Sequence, residues 1–429
     1  MNSRLRALKQ VFSRVTTSGL FVPNFDGLRF IAIALVVWFH IFQEGQNVLG
    51  AKAPPTSLVS LASIGWLGVT LFFAISGFVL ALPSANHYLN GGRAVALPQY
   101  YLRRVTRLEP PYMICLLAYF VMKAFILKQD GLLPHLLASM TYTHNVIYSD
   151  VSRINGVAWS LEIEVQFYLI APLLAQIYRV SRVIVRRGLL ILGMIAIGIL
   201  TDWRLAPTGT THNLYLVPQL NYFLTGFLLA DVFATEMAMG KAIRRSLVWD
   251  LLGIAAWGLI FVATCRFKVD SLLFPVLIFV AYLGALRGVL LNAFTSHPLI
   301  YTIGGMCYTI YLWHNFVIEV LTRKLHLATH LYSLLGPGWF WVTYLGLASL
   351  CVLVVCGILF VLFERPFMFK SWPRDFTNWI MNLRWRRPPV PPAVSRGGNP
   401  PVLAEDLRSV TLSPEPPNLS LVNRKGINW

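Results

Sequence analysis

Long apolar runs recur along the chain, separated by short polar segments, near residues 28–43, 64–82, 110–127, 157–176, 188–202, 215–233, 249–264, 271–286, 302–321 and 339–363. A helix rises about 1.5 Å per residue and needs about 20 apolar residues to cross a bilayer, so the pattern predicts about ten spans. The fifth, seventh and eighth carry the weakest signal. The expected fold class is all-α, a polytopic helical bundle integral to a membrane.

The basic residues test this layout, because Lys and Arg concentrate in cytoplasmic loops close to helix ends. With the N-terminus inside, Arg103, Arg104 and Arg107, the run from Arg179 to Arg187, the group from Lys241 to Arg245, and Arg287 all fall on the cytoplasmic side. An even number of spans also returns the basic tail after Phe363 to that side, so both termini are expected in the cytoplasm.

Composition agrees: 56% of residues are apolar and 13% are charged. The net charge of +18 raises the question of nucleic acid, but these charges border apolar spans, where topology and anionic lipid headgroups account for them. No nucleic-acid partner is expected. Cys115, Cys265, Cys307, Cys351 and Cys356 lie in or beside apolar segments without a C-x-x-C pair, so they read as packing residues, with no disulfide framework and no metal site expected. The first twenty residues hold four basic groups but no continuous apolar core, so the first span is expected to serve as the insertion signal. Three regions follow: a basic N-terminal segment (1–23), either an amphipathic helix on the inner leaflet or an unstructured positive tail; a transmembrane domain (24–368); and a Pro/Arg-rich tail (369–429) too polar to form a core.

Within the first span Arg29 and His40 stand eleven positions apart, which puts the imidazole roughly 16 Å beyond the guanidinium and near mid-bilayer. An ionisable residue at that depth is costly and marks a functional candidate. The alternative is a satisfied core histidine with an arginine snorkelling at the interface.

Further patterns follow in order. Asp26-Gly27-Leu28-Arg29 leads to His40, and Gly65-Trp66-Leu67-Gly68 through Ser76-Gly77-Phe78 occupies the second span. An R-x-x-R pair, Arg104 and Arg107, precedes the third. Ser160-Leu161, Glu164 and Phe167-Tyr168 open the fourth, Tyr308, Tyr311-Leu312 and His314 lie in the ninth, and Glu364-Arg365-Pro366 ends the tenth. Taken together this set resembles the acyltransferase 3 family, membrane acyltransferases that O-acylate surface polysaccharides and related carbohydrates, over about residues 24–368. Many members carry a hydrolase-like domain after the last span; the polar tail here is not expected to form one, so a standalone member is expected.

The resemblance implies transfer of an acyl group, usually acetyl, from cytoplasmic acyl coenzyme A to a hydroxyl of a carbohydrate or glycolipid outside the cytoplasm, in a bacterial inner membrane. His40 suits this as a general base near neutral pH, or as a nucleophile that carries the acyl group. Arg104 and Arg107 share a helix face where guanidinium forks can grip the phosphates of coenzyme A, with Arg103 and Arg29 as second choices. Arg29 has two further readings, orienting His40 or stabilising the thioester oxygen. Glu164, followed at i+4 by Tyr168, must pair or protonate; it either serves the acceptor, an imidazolium or a proton relay, or forms a structural ion pair with an arginine. Glu162 is the weaker carboxylate.

His314, with Tyr308 and Tyr311 below it, reads first as a helix-to-helix hydrogen bonder, and Glu364 as structural or as a partner of an entrance arginine. Small residues in the second span suit close helix packing. The segment 132–156, with His135, His144, Asn145 and Asn155, suits sugar hydroxyls or is an ordinary wet loop. No G-x-S-x-G or H-E-x-x-H motif points to a serine or zinc hydrolase. The rival function is a proton-coupled secondary transporter of a small solute, which also uses buried His, Glu and Arg; against it, the halves of the chain share no repeated motif.

Overall fold

The protein, in a computed structural model, is described over residues 12–15, 22–50, 61–201, 214–238, 245–266, 272–369 and 371–373. Most of the basic N-terminal segment and nearly all of the Pro/Arg-rich tail, and with them the expectations placed there, lie outside the described residues. Every regular element among the described residues is helical, as the run lengths predict. The long helices are α1 (Pro23–Leu49), α2 (Leu67–Asn90) and α3 (Leu97–Val121, extended by a π turn Met122–Ile126). Two short ones follow, α4 (Leu132–Met140) and α5 (His144–Tyr148), then α6 (Trp159–Leu174), α7 (Val183–Leu200), α8 (Leu216–Ala238), α9 (Leu247–Arg266) and α10 (Leu273–Arg287). The chain closes with α11 (Leu290–Thr295), α12 (Pro298–Gly305), α13 (Cys307–Glu319, with a π turn Val320–Lys324) and α14 (Leu327–Leu359, with a π turn Phe360–Glu364).

Among the described residues eight helices are long and apolar enough to cross a membrane, which makes this a polytopic helical membrane protein. They include the expected fifth and seventh spans. The eighth is a 15-residue helix, α10. The ninth is divided, with α12 and α13 meeting at Met306.

Local chemistry sets several ends. Pro23 occupies the first turn of α1, where its missing N–H costs nothing, and Gly91 ends α2 at φ 65, donating its N–H to the Asn86 carbonyl. Inside α14, Gly336 at φ 64 followed by Pro337 breaks the helix, so the continuous apolar span begins just beyond, as the hydropathy pattern places it.

Helices in lipid gain little from hydrophobic attraction to each other, and small residues let their backbones meet instead. A Cβ on Gly65 would lie 2.0 Å from the Leu35 carbonyl oxygen and one on Gly68 2.3 Å from that of Ala32, which seals α2 and its entry turn against α1. Gly77 and Gly226 do the same between α2 and α8, at 2.1 Å from the Phe223 oxygen and 2.2 Å from the Ala74 oxygen. At the other end of α1, Gly304 of α12 leaves only 1.7 Å between a Cβ and the Asp26 oxygen. Asn24 adds a hydrogen bond of 2.8 Å to Thr295 Oγ1.

One buried carboxylate is paired twice. Asp231 on α8, wholly buried, accepts from Arg186 Nε and from Arg187 Nε at 2.6 Å, tying α7 to α8. Segment 132–156 departs in part from the wet-loop alternative: Ser139, His144, Asn145, Ser152 and Asn155 are buried, whereas Thr141 and residues 146–151 are exposed. Tyr112 of α3 donates to the Ser139 carbonyl at 3.0 Å, and Asn155 reaches the Leu312 carbonyl on α13 at 3.1 Å. These bonds satisfy polar groups that lipid would leave unpaired.

A Gly77→Val substitution drives a branched side chain into the α8 backbone and is expected to cost about 1–3 kcal/mol, read as a lowered unfolding midpoint in detergent. Gly258→Ala, whose Cβ meets nothing within 4 Å, is expected to be neutral or slightly stabilising in the same assay.

Candidate functional site

The α1, α3, α6 and α13 segments gather the ionisable residues selected from the sequence around one interior. His40 and His314 meet across the α1–α13 contact, with His314 Nε2 3.2 Å from His40 Nδ1 and ring centroids 4.8 Å apart. The carbonyls around them assign the protons, because a carbonyl only accepts. His314 Nδ1 lies 3.0 Å from the Ile310 oxygen and 2.8 Å from the Tyr311 oxygen, so Nδ1 carries the hydrogen and Nε2 is a lone pair. His40 Nδ1 lies 2.9 Å from the Val36 oxygen and faces that lone pair, so it too carries its hydrogen. In the neutral ring the remaining nitrogen, His40 Nε2, then carries the lone pair.

Tyr311 continues the network toward α6. Its hydroxyl donates to the Val157 carbonyl at 3.0 Å and accepts from Ser160 at 2.7 Å. One turn further along α6, Glu164 accepts a hydrogen bond of 2.5 Å from Ser76 of α2. The carboxylate lies within electrostatic reach of Tyr168, on the same face, and of Arg29, Arg104 and Tyr311. Among the described residues no arginine closes an ion pair with Glu164, so the structural ion pair considered for it is not formed. Glu162 faces elsewhere: it is fully buried and accepts from the Asn145 backbone N–H at 2.8 Å.

The arginines collect at the end of the bundle where α1 and α13 begin. Arg104, half-buried, folds over the Tyr100 ring at 3.5 Å, donates to the Tyr100 carbonyl at 2.9 Å, and lies 5.4 Å from the Tyr168 ring. Tyr100 in turn donates to the Tyr168 carbonyl at 3.1 Å, which fixes α3 to α6 at this level. Arg107 is half-buried with its Nε unpartnered among the described residues, close to Glu364 and Arg14. Arg103 points outward and is exposed. Arg29 pairs with Asp26, which also accepts from Arg14 Nη1 at 3.0 Å. Arg29 therefore does not reach His40, and the expectation that it orients the imidazole is corrected: Val36 and His314 do so.

Tyr308 donates to the Leu108 carbonyl at 2.8 Å and so helps hold α13 against α3. Glu364, at the end of the last π turn, accepts from the Thr309 N–H at 3.0 Å and from its hydroxyl at 2.5 Å. That is a structural role, with Arg107 and Arg14 near but not bonded to it. Sequence reasoning passed over Asp26 and Ser76, although both stand within the quoted motifs, and the i, i+3 spacing of Asp26 and Arg29 was a usable signal. Arg14 carried none, because its place depends on a fold between segments.

The acyltransferase domain family matches residues 22–379. A peptidoglycan O-acetyltransferase OatA of Listeria monocytogenes is 27% identical over 428 aligned positions, covering 90% of this chain and 62% of that protein. An O-acetyltransferase OatA of Staphylococcus aureus is 26% identical over 330 positions, covering 70% of this chain and 51% of its own. The chain thus spans little more than half the length of these relatives. Acyltransferase MdmB of Streptomyces mycarofaciens is 25% identical over 378 positions, covering 81% of this chain and 92% of its own. No solved structure matches. The family match takes in the whole bundle, from the start of α1 past Glu364, and so includes the residues of the interior just described except Arg14; on that ground the chain belongs to the acyltransferase 3 family of acyltransferases.

Proposed function

We propose that this chain is a membrane O-acyltransferase that moves an acetyl group from cytoplasmic acetyl coenzyme A to a hydroxyl of an extracytoplasmic or lipid-linked carbohydrate. The observation that carries the reading is the hydrogen-bond geometry of the histidine pair, in which a neutral His40 donates from Nδ1 and keeps its lone pair on Nε2. In a direct transfer that lone pair takes the proton of the acceptor hydroxyl as its oxygen attacks the thioester carbonyl. The thiolate of coenzyme A leaves and takes up the same proton. In a two-step transfer Nε2 itself attacks the carbonyl and the thiolate leaves; the acceptor oxygen then attacks the same carbonyl and displaces the imidazole, its proton passing to the thiolate. Both routes use one nitrogen, and His314 keeps it available by holding the hydrogen on the other.

The arginine-rich end suits the donor. Arg14, Arg29, Arg104 and Arg107 gather there around the carboxylates of Asp26 and Glu364, an excess of positive charge that a polyanion relieves. The phosphates of coenzyme A are such a polyanion, and guanidinium forks bind them in pairs. This end is then cytoplasmic, in a bacterial inner membrane with both termini on that side. Glu164 and Tyr168 lie between the arginines and the histidines, placed to hold the acceptor hydroxyl or to relay its proton. The names of the OatA relatives favour acetyl as the group and a peptidoglycan-type carbohydrate as the acceptor. Family membership weighs against the transporter alternative.

His40→Ala is expected to lower acyl transfer by at least about 10²-fold while leaving the amount of protein in the membrane unchanged; the acyl-sized mass on surface or lipid-linked glycans disappears in mass spectrometry. Retained acylation in that variant would sink the proposal. His314→Gln is expected to cost at least about tenfold, because His40 then loses the partner that sets its tautomer. Arg104→Ala and Arg107→Ala should each raise the KM for acetyl coenzyme A by about tenfold or more, whereas Arg103→Ala should change it little.

A further inference from the structure

Glu109 on α3 is half-buried, two positions beyond Arg107, and Tyr142 of the α4–α5 turn directs its hydroxyl at both carboxylate oxygens, each at 3.1 Å. Among the described residues no cation pairs with this carboxylate and no other donor reaches it. A carboxylate accepts about four hydrogen bonds and the phenol supplies one, so most of its acceptor capacity is unused.

The turn that delivers Tyr142 is held in an unusual shape. Tyr142 has φ 56, a left-handed conformation rare for a bulky side chain, and persists only where its surroundings over-determine it. Its N–H bonds the Ser139 carbonyl at 3.1 Å, and its ring stacks on Tyr112 with centroids 4.9 Å apart and planes 15° apart. Tyr142 lies within electrostatic reach of Glu164 and Tyr308, so the pair borders the same interior as the candidate site.

We propose that Glu109 and Tyr142 form a subsite for the carbohydrate acceptor, one that takes two neighbouring hydroxyls of a sugar ring on the carboxylate. This rests on the acyltransferase reading above. Two O–H donors on adjacent carbons match the two oxygens of a carboxylate, and they fill the capacity that Tyr142 leaves open. Hydrogen-bond chemistry favours the polyol: its hydroxyls donate to carboxyl oxygens, whereas the phosphate oxygens of coenzyme A only accept. Glu109 stands two positions from Arg107 on α3, about 3 Å along the axis and on a different face of the helix, so the subsite borders the donor end of the interior rather than overlapping it.

The test uses the full chain in lipid nanodiscs with acetyl coenzyme A as donor. The acceptor probes are peptidoglycan glycan strands and a panel of methyl hexopyranosides with their single-deoxy analogues. Glu109→Gln should raise the KM for the acceptor about tenfold, as loss of the charge on an accepted hydrogen bond does, and leave the KM for acetyl coenzyme A within about twofold. It should also narrow the preference for a vicinal diol over its deoxy analogue. Tyr142→Phe, which keeps the ring and its stack, should move the same constant in the same direction, and it decides the matter if the Glu109→Gln chain does not accumulate. An unchanged acceptor KM, or donor and acceptor constants rising together, overturns the subsite alone. If the wild-type chain acetylates none of the saccharides, the proposed function fails and the subsite falls with it.

Discussion

Where the Asp26 carbonyl leaves no room for a Cβ on Gly304, and the Leu35 carbonyl none on Gly65, α1 is held by its own backbone against its neighbours. In lipid, apolar side chains gain little by touching one another instead of acyl chains, so contact at this range is what fastens a helix. Everything else in the interior is measured from α1. It carries Asp26 and Arg29 at one end and His40 further along, and it shares contacts with α2, α12, α13 and α14. A helix seated less closely would set His40 beyond hydrogen-bonding range of His314, and the proton arrangement of the pair would be lost.

Polar groups in the interior obey the same economy. Many buried side chains bond a neighbour's backbone: Tyr311 on Val157, Tyr308 on Leu108, Tyr100 on Tyr168, Tyr178 on Phe227. These bonds between helices hold the register, because an unpaired hydroxyl in hydrocarbon is costly. Against that background the incomplete groups stand out. Arg107 Nε has no partner among the described residues, and Glu109 has only a phenol. Arginines in excess stand beside a carboxylate that no cation pairs with among the described residues, so neighbouring faces of α3 offer one set of groups suited to an anion and another suited to hydroxyl donors.

Segment 132–156 illustrates why polarity by itself misleads in a membrane protein. Its His, Asn, Ser and Thr residues look like a solvated loop, since water is the usual partner of such groups. Here Ser139, Asn145 and Asn155 find backbone and side-chain partners on α3, α6 and α13 instead, and the segment is drawn inward. The left-handed Tyr142 is a consequence of that docking: the turn is bent to fit its neighbours rather than by its own preference.

Hydrophobic length determined the helices, because a bilayer demands about 20 apolar residues whatever the neighbours are, and local signals such as Pro23, Gly91 and the Gly336-Pro337 pair set several of their ends. The order of motifs carried the family and named His40, Glu164, Arg104 and Arg107, each a residue whose chemistry is legible on its own. Which of them touch was decided only in three dimensions. His40 and His314 are 274 positions apart, and Ser76 and Glu164 are 88 apart; no periodicity along one helix reports on a partner in another. Arg29 is the exception: its spacing along α1 already set it about three turns from His40, and it pairs with Asp26 one turn away. The sequence determined which groups lie in the membrane, because burial there follows from composition, and the tertiary structure decided their protonation and partners, because those depend on distances of about 3 Å between helices that the chain alone does not set.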